Sequence, residues 1–488
     1  MGTPRKPEHR TANIAQVLTL RDPAGLVLRK NQSIYRVLRK ETLSAFESFL
    51  STDFFKKYET LGTFPKTSKI RSSKLGVLPL KKREIGAVFS HETIPFMSYP
   101  HEWPLEMLRD SALLTLQLCD EAMKEGFWLK DATPFNVAFR GTTPIFFDLL
   151  SFAEKDPLQF NWIPYGQFVR TFLNPLLLGS KLSWPLGSIF LNNREGLETL
   201  RLYEMLTWTE RLSPKLFWRV TLPAWTQIMT EKKVKQLGNQ VYKSRLASSP
   251  EKASFIVGCL ISGLRRSVKQ IRLSKVGRSA WLGYVNSNYS FTQKQFEEKS
   301  RYVSDVVKKV APSKVLDVGC NTGHFSFLAA KDGASVLAID SDPAVISDLY
   351  LGAKKQKADI LPLVVSFSHP SPATGWNLAE TSSFIERCEH AQIEMVFMLA
   401  VLHHIVVTDG IPIHELVGLL SRLTKKWLVI EYISPKDRAF SNLCHGRDYS
   451  HFTEEFFVTH FKTRFEITDS FSLSGSERKL YLMQLKQK

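Results

Sequence analysis

Cysteine is scarce in this chain. The five present, Cys119, Cys259, Cys320, Cys388 and Cys444, are odd in number and never fall in CxxC spacing. That pattern argues against a disulfide framework and a zinc ribbon, and it points to a reduced compartment with no metal ligands. Long apolar runs are missing too: the pieces at 175–178, 184–191 and 255–264 are too short or too interrupted to span a bilayer. The opening MGTPRKPEHRTANIAQ has no apolar core, so it does not read as a signal peptide, and Lys6 stands where a myristoylation signal wants Ser or Thr. The expectation is a cytoplasmic protein whose residues 1–15 form a disordered tail.

Acidic residues are deficient in one part only. Residues 311–488 carry 18 Lys+Arg against 20 Asp+Glu, which leaves 47 against 27 in the first 310 residues and accounts for the whole net charge of +18. A basic region attached to a near-neutral one suggests an anionic partner: a phospholipid surface, an acidic glycan or nucleic acid. A simply soluble basic surface is the other reading. Peripheral attachment to the inner face of a membrane follows from the first of these partners.

What is present is clearest from Val315 to Asp340, VLDVGCNTGHFSFLAAKDGASVLAID. Val315, Leu316 and Val318 suit a buried parallel strand with Asp317 near its end, and Gly319 and Gly323 bracket a turn that a ligand can approach closely. Phe325, Phe327, Leu328 and Ala329 open a helix, and Val336 to Ile339 form a second strand ending in Asp340. An acid about twenty residues past a glycine turn is where a doubly wound sheet holds ribose hydroxyls. The three-glycine dinucleotide fingerprint is absent, because Asn321 and His324 take the places of its second and third glycines.

The pattern Asp317-x-Gly319-x-x-x-Gly323 resembles motif I of the class I S-adenosylmethionine (SAM) methyltransferases. By that resemblance the turn, with Cys320 and Asn321, holds the amino-acid end of SAM, Asp317 orients its ammonium, and Asp340 with Ser341 holds the ribose. Strands are predicted over 361–366, 394–399 and 427–431, and a closing hairpin over 465–471 and 479–485. An antiparallel last pair on a parallel sheet is the topology of that class, so the expected fold is α/β: a Rossmann-like C-terminal domain and a basic α+β N-terminal domain.

The closing domain also resembles a bacterial methyltransferase family that includes nodulation-type proteins. The likeness rests on Cys320 to Ser326, Pro370-Ser371-Pro372, Leu399 to His404, Arg447 with Tyr449, and Arg478 to Tyr481. It implies Leu399 at the cofactor, and Ser366 where many such enzymes carry an Asp for the adenine amine. It also implies that the segment before the first strand covers the cofactor, which makes Tyr284, Tyr289 and Lys299 further candidates. The expected units are 16–200, a helical connector and lid over 201–295, and a methyltransferase domain over 296–488.

Asp131, Asn136 and Asp148 around a predicted hairpin resemble the catalytic loop and metal-binding Asp of the protein kinase and aminoglycoside phosphotransferase superfamily, which would imply magnesium. Leu129 and Lys130 replace its His-Arg, Leu149-Leu150 its Phe-Gly, and no glycine-rich loop precedes them. Otherwise Asp131 and Asn136 cap turns.

Methyl transfer needs a base only when the acceptor keeps its proton at neutral pH. His403 and His404, after the fourth strand, are the catalytic candidates; the other role for either is to pair with a backbone carbonyl and orient the loop. The Asn/Asp-Pro-Pro-Tyr/Phe signature of amine methylation and the Pro-Cys nucleophile are absent, which argues against a nucleic-acid base acceptor. The expected acceptor is a hydroxyl or similar group on a glycan, glycolipid or small metabolite. A SAM-binding regulatory protein whose kinase-like domain carries the output is the alternative.

Overall fold

Val27-Leu28, Asn31-Gln32 and Ile34 to Leu38 predict a hairpin, and it forms: Asn31, in the left-handed region at φ 56°, turns the chain between the strands Gly25–Lys30 and Ser33–Arg39. In this computed structural model the described residues are 16–19, 22–71, 75, 82–237, 245–273 and 292–487. The tail 1–15, Tyr284 and Tyr289 lie outside them.

The hairpin belongs to a five-stranded antiparallel sheet, in spatial order Gln16–Val17, Gly25–Lys30, Ser33–Arg39, Ile85–His91, Thr67–Ile70. Apolar spacing from Leu43 to Tyr58 predicts a helix; the chain makes two, Lys40–Ser51 and Asp53–Thr60, because the Thr52 hydroxyl accepts from the Phe55 amide at 3.1 Å and starts the second. The basic run 66–83, broken by Gly76 and Pro79, predicts a loop, yet Thr67–Ile70 is a strand. It is the edge strand, with a polar sequence and little burial, and so has no apolar alternation to betray it. Lys40–Ser51 packs on the sheet, and after it come the long helix Leu105–Ala122, the hairpin Val137–Arg140 with Thr143–Phe146, and helices to residue 237. The apolar piece at 255–264 and the basic residues after it form one helix, Pro250–Gln270, which buries Val257, Ile261, Leu264 and Val268 and packs on Leu105–Ala122. Among the described residues no helix is long and apolar enough to cross a membrane.

The C-terminal domain is a seven-stranded sheet: β1 (Lys314–Val318), β2 (Ser335–Asp340), β3 (Ile360–Val364), β4 (Met395–Met398), β5 (Trp427–Ile433), β6 (Phe465–Ser472) and β7 (Arg478–Leu485). The spatial order is β3-β2-β1-β4-β5-β7-β6, parallel through β5, with β7 antiparallel to both neighbours. The chain reverses direction across the sheet between β1 and β4. Ligands of open α/β sheets sit at the carboxyl ends of the strands at such a point.

The two parts share one core. Phe139 packs on Trp103 and Tyr350, and buried side chains run from Leu38 through Leu316 to Met483 without interruption. Polar contacts fasten the junction: Tyr350 donates to Asp110 at 2.6 Å and Ser347 to Glu106 at 2.7 Å, while buried Arg387 forks onto fully buried Glu102, with Nη1 to Oε2 at 2.9 Å.

Candidate functional site

At the carboxyl end of β1 the chain turns into the helix His324–Lys331. Gly319 takes φ +69°, and a Cβ there would stand 2.2 Å from Val401 Cγ2, so only glycine lets the turn close against the loop after β4. Asn321 is also left-handed, at φ 50°, and its amide donates to Asp340 Oδ2 at 3.0 Å. That bond sets the end of β2 beside the turn.

A cavity of about 350 Å³ opens where these elements meet. Asp317, Gly319, Cys320, Asn321, Asp340 and Ser341 line it from β1 and β2. Ser366, Leu399 and His404 line it from the loops after β3 and β4, and Lys299 from the helix Gln293–Val310. The sequence candidates placed elsewhere are two. Gly323, at φ +83°, has its Cα side against Leu349, where a Cβ would meet Cδ1 at 2.3 Å, so it serves helix packing. His403 points into the protein, against Phe440, and does not line the cavity.

The electrostatics separate these groups. Asp317 is almost fully buried and accepts from Ser326 Oγ at 2.6 Å. Burial, with Asp340 nearby, pushes its carboxyl up to about 6. Asp340 is raised as well, chiefly by burial; backbone N–H groups of Asn321, Asp342 and Ser341 oppose that rise, with Asn321 on Oδ2 and Asp342 on Oδ1, both at 3.0 Å. Burial also raises the Cys320 thiol, which stays protonated and inert. Ser366 Oγ accepts from the His369 amide at 3.2 Å and lies 3.2 Å from Ser368 Oγ, so its hydroxyl belongs to a small loop network.

Lys299 is held rather than offered. Its Nζ meets Glu431 Oε2 at 2.5 Å in the interior, and burial lowers its pKa against the pull of that carboxylate. Glu431 lies 3.7 Å from Arg478, which grips Asp437 at 2.8 and 3.1 Å. This buried ladder of two cations and two acids is invisible in the sequence, because its members come from a helix, two strands and a loop. His403 stands near it; burial and the surrounding positive charge push its pKa to about 2, leaving it neutral. His404 is half-buried, with its pKa lowered by burial and Asp409 opposing, so it is unprotonated at neutral pH. Sequence reading also missed Thr408 and Asp409, which line the cavity from the end of a wide turn of π type, His404–Thr408, that Asp409 caps.

The residues fit SAM. Gly319 lets the backbone come close, Asp340 keeps acceptor capacity for a hydroxyl, and Asp317 is a buried carboxylate that a positive group would relieve. Val365, Phe367 and Leu399 supply apolar walls.

The kinase-like residues also come together. Asn136 Nδ2 donates to Ser151 Oγ, and Ser151 Oγ to Asp148 Oδ2, both at 2.8 Å. Arg36, from the N-terminal sheet, takes the other Asp148 oxygen at 3.3 Å, and Asp131 is raised by burial and by Asp148. Among the described residues no group of three His, Cys, Asp or Glu side chains is placed to hold a metal.

Residues 283–367, which span the glycine turn and its acid, match the family described as tellurite resistance protein TehB. Nodulation protein NoeA of Rhizobium meliloti (strain 1021) is 28% identical over 470 residues, 96% of this chain and 95% of that protein. The O-antigen chain terminator bifunctional methyltransferase/kinase WbdD of Escherichia coli is 28% identical over 138 residues, 28% of this chain and 16% of that one. Among solved structures, N-methyltransferase NodS from Bradyrhizobium japonicum WM9 aligns with 40% of this chain and 98% of its own at 14% identity and a TM-score of 0.30. With this strand order, this glycine turn facing its acid, and a likeness to a nodulation protein along nearly the whole chain, the protein resembles the nodulation-type class I methyltransferases, and its C-terminal domain is a SAM-dependent methyltransferase domain.

Proposed function

We propose that the protein transfers a methyl group from SAM to a hydroxyl or similar group on a glycan, a glycolipid or a small metabolite. One observation carries the reading: Gly319, Asp340 and His404, from three different strand ends, face a single cavity. SAM, when bound, supplies the electrophilic methyl and the leaving sulfide. The chain's own residues do the rest. Asp340 holds hydroxyls, Asp317 holds a cationic group in a water-poor corner, and the Gly319 turn sets their spacing, so that positioning accounts for much of the rate. His404 is unprotonated and at the cavity wall, able to take a proton from a hydroxyl as that oxygen attacks. His403, buried and neutral, is a packing neighbour, its ring 4.2 Å from that of His404. The name of the Escherichia coli relative, an O-antigen chain terminator, favours a glycan among these acceptors.

The test is incubation of purified protein with methyl-labelled SAM and separated glycan, lipid, small-metabolite and RNA fractions. Label in a glycan, glycolipid or metabolite fraction is the expected result; label in RNA alone, or in none while SAM binds, removes the proposal.

A further inference from the structure

A second surface lies far along the chain from the cofactor turn, on short helices between residues 199 and 237. Thr199–Met205, Trp208–Leu212 and Leu222–Leu237 pack together around Phe217. The rings of Trp218 and Trp225 stand 5.6 and 5.8 Å from that of Phe217, and Trp225 donates to Tyr203 Oη at 3.0 Å, so these aromatics form one patch. The patch faces water: Trp218 is 69% exposed, Met229 76% and Ile228 48%. Trp225, Ile228 and Met229 recur at i, i+3 and i+4, the spacing by which a helix normally buries a face. Here that stripe is turned outward, and contiguous exposed apolar surface marks a docking site.

Its border is cationic. Lys215 is exposed beside it, and Arg219 donates to Gln270 at 2.6 Å, which brings up the end of the helix Pro250–Gln270. Arg266, one turn before Gln270 and on the same face, is exposed, as are Lys269 and Arg272. Indoles flanked by these Lys and Arg side chains, with Glu204 paired to Arg201 and Glu210 accepting from the Thr207 amide, suit the interface of an anionic bilayer, where the rings enter the headgroup level and the cations meet phosphates. A second copy fits less well. A two-fold contact would lay this patch on itself and bring the same cations against one another.

We propose that this face docks the protein on an anionic phospholipid surface. This face is separate from the methyl-transfer site: none of these residues lines the cofactor cavity.

The full chain is sedimented with vesicles of phosphatidylcholine alone and of phosphatidylcholine mixed with phosphatidylglycerol. It should sediment with the mixed vesicles and be released by salt. Trp218→Ala with Met229→Ala should weaken that partitioning about tenfold or more, and Lys215→Glu with Arg266→Glu about tenfold or more, as expected for cations near a charged bilayer. SAM binding and the thermal midpoint should stay unchanged in both variants, which separates lost docking from lost folding. Equal binding to both vesicle types, or to neither, overturns the proposal. So does a dimer seen by light scattering that Trp218→Ala with Met229→Ala returns to monomer.

Discussion

Asp317 is a buried carboxylate whose pKa is raised to about 6, so the folded chain binds its proton more tightly than the unfolded one does. The stability this group contributes is complete below the ordinary carboxylate range and is lost as pH rises through about 6, a cost of about 2–3 kcal/mol at neutral pH. Asp317→Asn should therefore raise stability by about 2 kcal/mol at neutral pH, read by urea unfolding without ligand. The same change should weaken SAM binding about 10- to 100-fold, because a charge-assisted contact is gone. In the unaltered protein, SAM affinity should fall about tenfold per pH unit below about 6, where Asp317 protonates. Calorimetry showing a pH-independent affinity would sink this role. His404 and His403 should part company in kinetics. His404→Gln is expected to lower kcat by about 100-fold or more with SAM affinity intact, whereas His403→Gln puts an amide into a buried site beside Lys299 and Arg478 and should show mainly in the thermal midpoint.

At the level of elements, the turn Pro100–Glu102 that leads into the helix Leu105–Ala122 is tied to the C-terminal domain by a buried charge pair. Arg387 sits among the rings of Phe96, Tyr99 and Phe384 and forks onto Glu102, which has no exposed surface. Arg387→Met strands that carboxylate and should cost about 3–5 kcal/mol in chemical unfolding, whereas Arg387→Met with Glu102→Leu should recover much of it. A double variant as unstable as the single one would contradict the pairing. These partners are 285 residues apart, which explains why the sequence did not disclose them. The glycine turn was legible for the opposite reason: strand, turn, helix and acid lie within 26 consecutive residues, and each has a local signature. Strand identity was legible wherever burial is continuous, as in β1 to β5, and failed at Thr67–Ile70, where an edge strand carries polar side chains. At the cavity, Asp409 and Thr408 were missed because a wide turn, unmarked by glycine or proline within it, carries them to the wall. Gly323 looked like a ligand-facing residue because a left-handed turn position and a packing position carry the same letter.

For the whole molecule, the question is whether the basic N-terminal half is an appendage or part of the same folding unit. The apolar core crosses the junction through Trp103, Phe139 and Tyr350, and the hydrogen bonds of Glu102, Glu106 and Asp110 lie along the same seam. Such continuity makes the halves unfold together. The ten tryptophans offer a probe, because eight of them precede the helix Gln293–Val310 and only Trp376 and Trp427 lie in the C-terminal domain. Their fluorescence reports mainly on the half that holds no part of β1 to β7. A ligand that binds only the folded C-terminal cavity, present at about 100 times its Kd, stabilises whatever unfolds with that cavity by about 2.7 kcal/mol. Saturating S-adenosylhomocysteine should therefore move the fluorescence midpoint in urea upward together with the circular dichroism midpoint, the two curves remaining superimposed. If the fluorescence transition stays in place while a second, ligand-shifted transition separates from it, the seam does not couple the halves, and the N-terminal domain must be treated as an independent unit that the methyltransferase domain merely carries.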